Sequence, residues 1–129
     1  MARDKYKPYR RVEDEPIQDP LPPNTTTLAY ISHYDPRLGG TNCFNFVDGW
    51  CVSPMASGKR WEDYFGVALA CPAEYPFGTV FVIGDKEWIC LDRGGAILTN
   101  PDGTIWLDML LDVPEYNYGS LVEVQIKEQ

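Results

Sequence analysis

Turn-forming residues interrupt the chain at short intervals from Thr27 onward, so the secondary-structure elements must be short. The interruptions are the segments DPRLGG, SPMASG, CPAEYPFG, GDK and NPDG, each of which contains glycine or proline. The runs between them are rich in β-branched and aromatic residues, and the last run alternates apolar with polar residues. We predict strands over residues 27–34, 65–70, 79–84, 87–92 and 120–126.

One further segment, WLDMLLD at residues 106–112, predicts a short helix that is ended by Pro114. Many short strands beside one short helix favour a small closed barrel, since closure leaves no sheet edge exposed. A chain of 129 residues normally forms one packed domain. We therefore predict an all-β fold with a small helix, in which residues 25–129 form the barrel domain.

Residues 1–24 differ in composition from the rest and predict an extended, proline-rich, charged arm. They hold 5 of the 11 prolines, and DEPIQDPLPPN cannot continue a helix or a central strand because proline lacks an amide donor. Five of the first 11 residues are basic, whereas residues 12–24 carry four acids and no base. Such an arm would lie on its own domain or on a neighbouring subunit, and a disordered tail is the alternative.

Charge and composition narrow the choice of partners. The net charge of −8 and the pI of about 4.5 argue against nucleic-acid binding through phosphate contacts. No run of the chain approaches the roughly 18 apolar residues of a membrane span. No pair of cysteines has the C-x₂₋₄-C spacing of a zinc site, and we expect neither a metal nor a cofactor.

The four cysteines, Cys43, Cys51, Cys71 and Cys90, favour two disulfides formed in an oxidising compartment. No apolar run near Met1 predicts a secretory signal, so these two observations conflict. A removed leader, leaderless export or residence on a virus particle would reconcile them. We therefore expect an extracellular, cell-envelope or virus-particle location, and four buried, reduced cysteines are the alternative.

Five motifs follow one another in an order that resembles the double-psi β-barrel proteins of the cell wall. They are AYISHYDPRLGG, MASG, ACPAEYPFGT, CLDRGGAI and IWLDML, and they cover roughly residues 27–127. The pattern is similar to the 3D domain, named for three aspartates and found in membrane-bound lytic transglycosylase A, and to rare lipoprotein A. The resemblance implies a six-stranded double-psi β-barrel whose shallow groove holds a glycan strand above catalytic aspartates.

The resemblance also implies roles for individual residues. Asp92 in LDRGGAI looks like the second family aspartate, and Asp108 in WLDML looks like the third, which is the general acid/base of the transglycosylases. Both are predicted catalytic residues. The position of the first family aspartate is Cys71 in this chain, so one functional side chain of the family is replaced. The residues predicted to bind substrate are Arg93, Gly94, Gly95 and Trp106.

Cleavage of a glycosidic bond requires a proton donor for the leaving oxygen. The hydrophobic neighbours of Asp108 would desolvate it and raise its pKa toward that of a useful acid, while capping of the short helix is its alternative role. Arg93 would pair with Asp92, with Glu87 or with a carboxylate on the sugar. The two glycines after Arg93 would allow close backbone approach and positive φ, or would only make a sharp turn.

We predict the disulfides Cys43–Cys51 and Cys71–Cys90, of which the second ties the strands that flank the site. A free, nucleophilic Cys71 is the alternative. The function predicted from these features is a peptidoglycan-directed domain that binds or cleaves a glycan strand. The alternative is a catalytically inactive structural module, such as a phage or virus surface protein whose residues 1–24 clasp neighbouring subunits. A third option is an expansin-like protein that loosens glycans without cleaving them.

Overall fold

The computed structural model describes residues 24–127, and the predicted arm lies outside this range apart from Asn24. Three single-turn 3₁₀ helices span Pro36–Leu38, Gly40–Asn42 and Trp61–Asp63. No helix in the described range is long and apolar enough to span a membrane. The strands of this range are β1 (Asn24–Tyr34), β2 (Phe46–Val47), β3 (Trp50–Cys51), β4 (Ala68–Ala70), β5 (Val80–Ile83), β6 (Lys86–Asp92), β7 (Ile105–Leu110) and β8 (Ser120–Lys127).

Six of these strands close into a barrel in the order β1-β7-β4-β6-β5-β8. β1 runs parallel to β7 and antiparallel to β8, while β4 runs parallel to β6 and antiparallel to β7. β5 completes the ring between β6 and β8, with antiparallel pairing on both sides. The prediction of a mostly β fold with a closed six-stranded barrel is confirmed.

The barrel interior is a packed hydrophobic core to which every barrel strand contributes. In β7, the alternate residues Ile105, Leu107 and Met109 belong to this core. Because successive side chains of a strand point to opposite faces, Trp106 and Asp108 lie on the outer face of the barrel. The core therefore fixes which side of the wall carries the predicted catalytic acid.

The prediction of a helix over residues 106–112 is wrong, because Ile105–Leu110 forms the strand β7. β7 pairs with β1 on one side and with β4 on the other, so it is a central strand of the barrel. A strand covered on both faces has a nearly continuous hydrophobic run, which looks like a buried helix segment in sequence. The alternative in which Asp108 caps that helix is wrong for the same reason.

Residues 35–67, between β1 and β4, form a cap on the outer face of the barrel. The cap contains the β2–β3 hairpin and the three 3₁₀ helices. A second hydrophobic cluster joins the cap to the barrel strands. The buried members of this cluster are Cys51, Met55, Trp61, Ala68, Leu91 and Leu110.

Both predicted disulfides are present. Cys43–Cys51 lies within the cap, with its Cα atoms 5.9 Å apart. Cys71–Cys90 joins the residue after β4 to β6 inside the barrel core, with its Cα atoms 5.8 Å apart. No cysteine among residues 24–127 is free, so the alternatives of reduced cysteines and of a nucleophilic Cys71 are wrong.

Candidate functional site

Asp92 and Asp108 reach the same region because both pair with Ala70, the last residue of β4. Ala70 is the register partner of Asp92 on β6 and of Asp108 on β7, and β4 lies between those two strands. The two aspartates are therefore two strand spacings apart, roughly 10 Å between their Cα atoms. A register shift between Leu69 and Ala70 brings Asp92 level with Ala70.

An open cavity of about 470 Å³ lies between the barrel wall and the cap. The barrel wall contributes both aspartates, and the cap contributes Phe44, Met55 and Trp61 among others. A volume of this size lies within the usual range for small-molecule sites. The cavity gives the two acids a shared, accessible space in which a ligand can lie.

Three hydrogen bonds hold the Asp92 carboxylate. The Tyr34 hydroxyl donates to Oδ2 at 2.6 Å, and the backbone N–H groups of Ala56 and Arg93 donate to Oδ1 at 2.8 and 2.9 Å. Burial and the neighbouring Asp92 charge raise the pKa of Tyr34 well above its usual range, so the phenol keeps its proton for this bond. The barrel and the cap therefore fix the orientation of Asp92 together.

Asp108 lies at the end of a chain of side-chain hydrogen bonds. The Trp106 indole N–H donates to Ser32 Oγ at 2.7 Å, and the Ser32 hydroxyl donates to Asp108 Oδ1 at 2.7 Å. Burial raises the pKa of Asp108 to about 6, and the Asp92 charge acts in the same direction. The bond from Ser32 and the nearby His33 act against this rise without overcoming it.

Arg93 packs against the disulfide between Cys71 and Cys90. Its Nη1 lies 3.2 Å from Cys71 Sγ and 3.1 Å from Cys90 Sγ, and its Nη2 donates to the Tyr75 carbonyl at 2.7 Å. The guanidinium also lies 4.1 Å from the centre of the Phe77 ring, and burial lowers the pKa of Arg93. These contacts hold one edge of the cavity in place.

The ion-pair partners expected for Arg93 are engaged elsewhere. Glu87 binds Lys127 Nζ at 2.7 Å, and the Asp92 carboxylate accepts the Arg93 backbone N–H rather than its guanidinium. Within residues 24–127, Arg93 forms no ion pair with a carboxylate. Arg93 lines the cavity, and its guanidinium contacts the disulfide and backbone carbonyl oxygens rather than a carboxylate of the described residues.

Gly94 and Gly95 both line the cavity. The expectation of positive φ at these two positions is wrong, because neither belongs to the glycines of this fold with positive φ. Gly94 is required for another reason: a Cβ there would lie 2.8 Å from Cγ1 of the buried Ile97. A Cβ at Gly95 would meet no atom within 4 Å, so this residue leaves the cavity edge open.

Trp106, the remaining predicted substrate contact, is not part of the lining of this cavity. Its indole stacks on Tyr30 with ring centres 5.4 Å apart and contacts Tyr118 at 5.6 Å. Its indole N–H donates to Ser32 Oγ. The geometry gives Trp106 a part in positioning Asp108 rather than a free face toward the cavity.

The sequence did not identify Ser32 and Tyr34 as the hydrogen-bond partners of Asp108 and Asp92. The sequence feature that could have indicated them is their spacing of two residues within β1, because this spacing places both side chains on one face of the strand. The register then aligns Ser32 with Asp108. The backbone N–H of Ala56 had no signal in sequence, because its position depends on the path of the cap.

The search for similar proteins adds no family. No family model matches this chain, and no curated protein or solved structure matches it. Among the described residues, no three His, Cys, Asp or Glu side chains are grouped so that they could hold a metal ion.

Proposed function

We propose that this protein cleaves the glycan strand of peptidoglycan in the manner of a lytic transglycosylase, with Asp108 as general acid and base. One observation carries the proposal: two carboxyl groups face one open cavity, and burial raises the pKa of Asp108 to about 6. A carboxyl group with this pKa is protonated in a useful fraction of molecules near neutral pH.

The reaction needs one carboxyl group for both proton transfers. Asp108 donates its proton to the glycosidic oxygen while the bond from that oxygen to C1 of the muramyl sugar breaks. The resulting carboxylate then accepts the proton of the sugar's 6-hydroxyl group as O6 bonds to C1. The product is a 1,6-anhydro ring, Asp108 regains its proton, and no water is consumed.

Asp92 is proposed to stabilise the positive charge that develops at C1 and the ring oxygen. The hydrogen bonds from Tyr34, Ala56 and Arg93, at 2.6 to 2.9 Å, orient its carboxylate before the substrate arrives. Groups that are oriented in advance stabilise a transition state without a cost of rearrangement. The two aspartates thus have different tasks in one cavity.

The substrate contacts are proposed at the cavity edge formed by Arg93, Gly94 and Gly95. The guanidinium, which pairs with no carboxylate of the described residues, would bind the lactyl carboxylate of a muramyl sugar. Gly95 leaves open space for the approach of a sugar to the backbone. Cys71 stands where the resemblance implies a first aspartate, so this mechanism uses two acids only.

The proposal includes a double-psi topology for the barrel and an oxidising location for the protein. Two parallel strand pairs, β1–β7 and β4–β6, within a six-stranded barrel support the double-psi topology. The two disulfides support a location in an oxidising environment such as the cell envelope.

The test is incubation of the protein with peptidoglycan sacculi and mass spectrometry of the soluble products. We expect anhydro-muropeptides from the wild type and at least a hundredfold lower rate from Asp108→Asn. The rate should fall as the pH rises through about 6, because the acid must begin protonated. Glu123→Gln, which changes an exposed residue of β8, is the matched control and should keep full activity. Absence of anhydro products from the wild type would contradict the proposal.

The alternative function is an inactive assembly module. It is favoured by the separation of charge along the sequence, since residues 1–11 are basic while the remainder is strongly acidic. In that case, residues 1–24 would contact neighbouring subunits of a particle. The two functions differ in a simple respect, because only the enzyme requires a protonated Asp108.

A further inference from the structure

A second cavity lies beside the site, on the other side of the segment 51–54. Its volume is about 450 Å³, and its lining includes Trp50, Val52, Arg60 and Glu62. Residues Cys51, Ser53, Pro54 and Trp61 line both this cavity and the one that contains the two aspartates. The two cavities therefore adjoin across a thin wall of the cap.

The β2–β3 hairpin and the residues on either side of it expose hydrophobic side chains to solvent. Phe44 is 97% exposed, Trp50 46% and Val52 53%. An exposed apolar cluster on a small domain marks a contact surface. Phe44 lines the first cavity and Trp50 lines the second, so the cluster extends from one to the other.

This surface is held rigid. The Cys43–Cys51 disulfide closes the segment, and Asp48 and Gly49 form the hairpin turn with φ of 54° and 81°. Positive φ at both central residues is the mark of a type I′ turn, which suits a two-residue hairpin. Little conformational freedom remains to be lost when a ligand binds.

Charged side chains lie beside the exposed indole of Trp50. The indole packs on Trp61 with ring centres 5.2 Å apart, and its N–H donates to Glu62 at 3.3 Å. Glu62 in turn pairs with Arg60 at 3.5 Å. An aromatic ring offers contact area to the C–H face of a sugar, while the carboxylate and guanidinium beside it can bind hydroxyl groups.

We propose that this second cavity, which Trp50 lines, binds a further sugar unit of the glycan strand that occupies the site at Asp108. The inference rests on the substrate class of the proposed function but not on cleavage. A glycan fits better than a protein partner because the surface is a concave cavity in which charged groups lie beside the indoles of Trp50 and Trp61. The two cavities share Cys51, Ser53, Pro54 and Trp61 in their linings, so one strand that crosses these residues reaches both.

The test measures the affinity of glycans of different lengths by titration calorimetry with the full-length protein. The probes are peptide-free peptidoglycan strands of two sugars and of eight sugars, and Asp108→Asn is the background variant that prevents turnover. We expect Trp50→Ala to weaken binding of the long strand about fivefold to tenfold, with no change for the disaccharide. Trp50→Phe should restore part of the loss, because it keeps a flat ring.

Leu28→Ala, which removes another exposed hydrophobic side chain but lies on β1, is the matched control and should bind both probes as the background does. Should Trp50→Ala unfold, Val52→Arg obstructs the cavity without removing the ring and should give the same selective loss. Equal affinity of Trp50→Ala and the background for the long strand would overturn the inference. So would an association of copies through this surface in place of glycan binding.

The results separate this inference from the proposed reaction. If the wild type cleaves sacculi while Trp50→Ala binds long strands normally, the reaction stands and the further subsite fails. If no anhydro product forms but the dependence on Trp50 and on strand length remains, the subsite stands and the reaction fails.

Discussion

Asp92 and Asp108 are the same side chain in two environments, and the difference follows from their hydrogen-bond partners. Asp92 accepts three donors, two of them backbone N–H groups, whereas Asp108 accepts one hydroxyl. Burial raises the pKa of Asp108, and a single donor does not offset this rise. This contrast separates the proposed proton donor from the proposed stabiliser of positive charge.

The raised pKa of Asp108 was predictable in direction and in its main cause, since desolvation by burial contributes most to it. The sequence places Asp108 among hydrophobic residues, and we expected those neighbours to desolvate it. In the strand, Leu107 and Met109 point into the core, whereas Leu110 lies on the same face as Asp108. The contact from β1, where Ser32 pairs with Asp108, depends on long-range pairing and has no signal in the local sequence.

The raised pKa predicts that replacing Asp108 stabilises the protein at neutral pH. The folded protein binds this proton more tightly than the unfolded chain, with a pKa of about 6 against an ordinary 3.8. The free energy of unfolding therefore falls as the pH rises from 3.8 to 6 and stays lower above that range. The loss is about 3 kcal/mol at most, from a shift of about two units.

We expect Asp108→Asn to raise the free energy of unfolding by up to about 3 kcal/mol at pH 8, because asparagine carries no charge to bury. The gain should disappear below pH 4. Urea denaturation at both pH values measures it. Asp85→Asn, in the exposed turn between β5 and β6, is the control for the change in net charge. A gain of equal size at both pH values would contradict the assignment of a raised pKa.

Among the elements, β4 shows how a short strand can position a site. The prediction gave a strand over residues 65–70, but only Ala68–Ala70 forms it. Ala70 lies between the strands that carry the two acids, and its small side chain leaves the space that they share. The sequence ALA indicates a buried strand but carries no sign of its neighbours.

The β2–β3 hairpin could have been predicted in part. Asp48-Gly49 is a typical hairpin turn, and Val47 and Trp50 on either side of it pair directly. Each strand has only two residues, which is too short for an alternating pattern to be recognised. The cavities on its two sides therefore could not be expected from sequence.

The two disulfides should contribute differently to stability. Cys71–Cys90 closes a loop with a sequence separation of 19 and lies fully buried in the barrel core, whereas Cys43–Cys51 has a separation of 8 and lies in the cap. Loop entropy alone assigns about 3 kcal/mol to the longer loop and slightly less to the shorter one. Loss of buried sulfur from the core adds a packing cost.

We expect the double variant Cys71→Ala/Cys90→Ala to lose at least about 3 kcal/mol of unfolding free energy, and more than Cys43→Ala/Cys51→Ala. Urea denaturation of both variants and of the wild type compares them directly. Cys43→Ala/Cys51→Ala, the variant with the smaller loss, should also bind long glycan strands more weakly, because the disulfide no longer closes the cap hairpin. A larger loss from the Cys43–Cys51 pair would show that the cap, rather than the barrel core, limits stability.

For the whole molecule, the sequence predicted the barrel but not its strand order. Five of the six barrel strands were expected, and the sixth, β7, was mistaken for a helix because it is hydrophobic on both faces. The neighbours of each strand are set by contacts between distant residues, such as Ser32 with Asp108. Local periodicity carries no information about such pairs, although the order of the motifs did associate Asp92 with Asp108.

The charge of the whole chain is divided between its parts. From Thr25 onward, 14 acids face 6 bases, while the first 11 residues carry five bases and one acid. Oppositely charged surfaces attract over roughly 10 Å at 0.1 M salt and over a longer range at lower salt. The basic segment therefore favours contact with an acidic barrel, either its own or that of another copy.

If residues 1–23 hold copies together, assembly must depend on this segment and on salt. We expect the full-length chain to have a larger mass in low-salt mass photometry than a chain that begins at Asn24, and to dissociate as salt rises, because screening weakens the attraction. The shortened chain keeps all of β1 and should fold. A full-length variant with serine at the five basic positions is the matched control, and it should behave like the shortened chain. The five replaced residues of that variant are Arg3, Lys5, Lys7, Arg10 and Arg11. Equal masses for all three proteins at every salt concentration would exclude assembly through this segment. The cavity between barrel and cap would then be the feature that accounts for function.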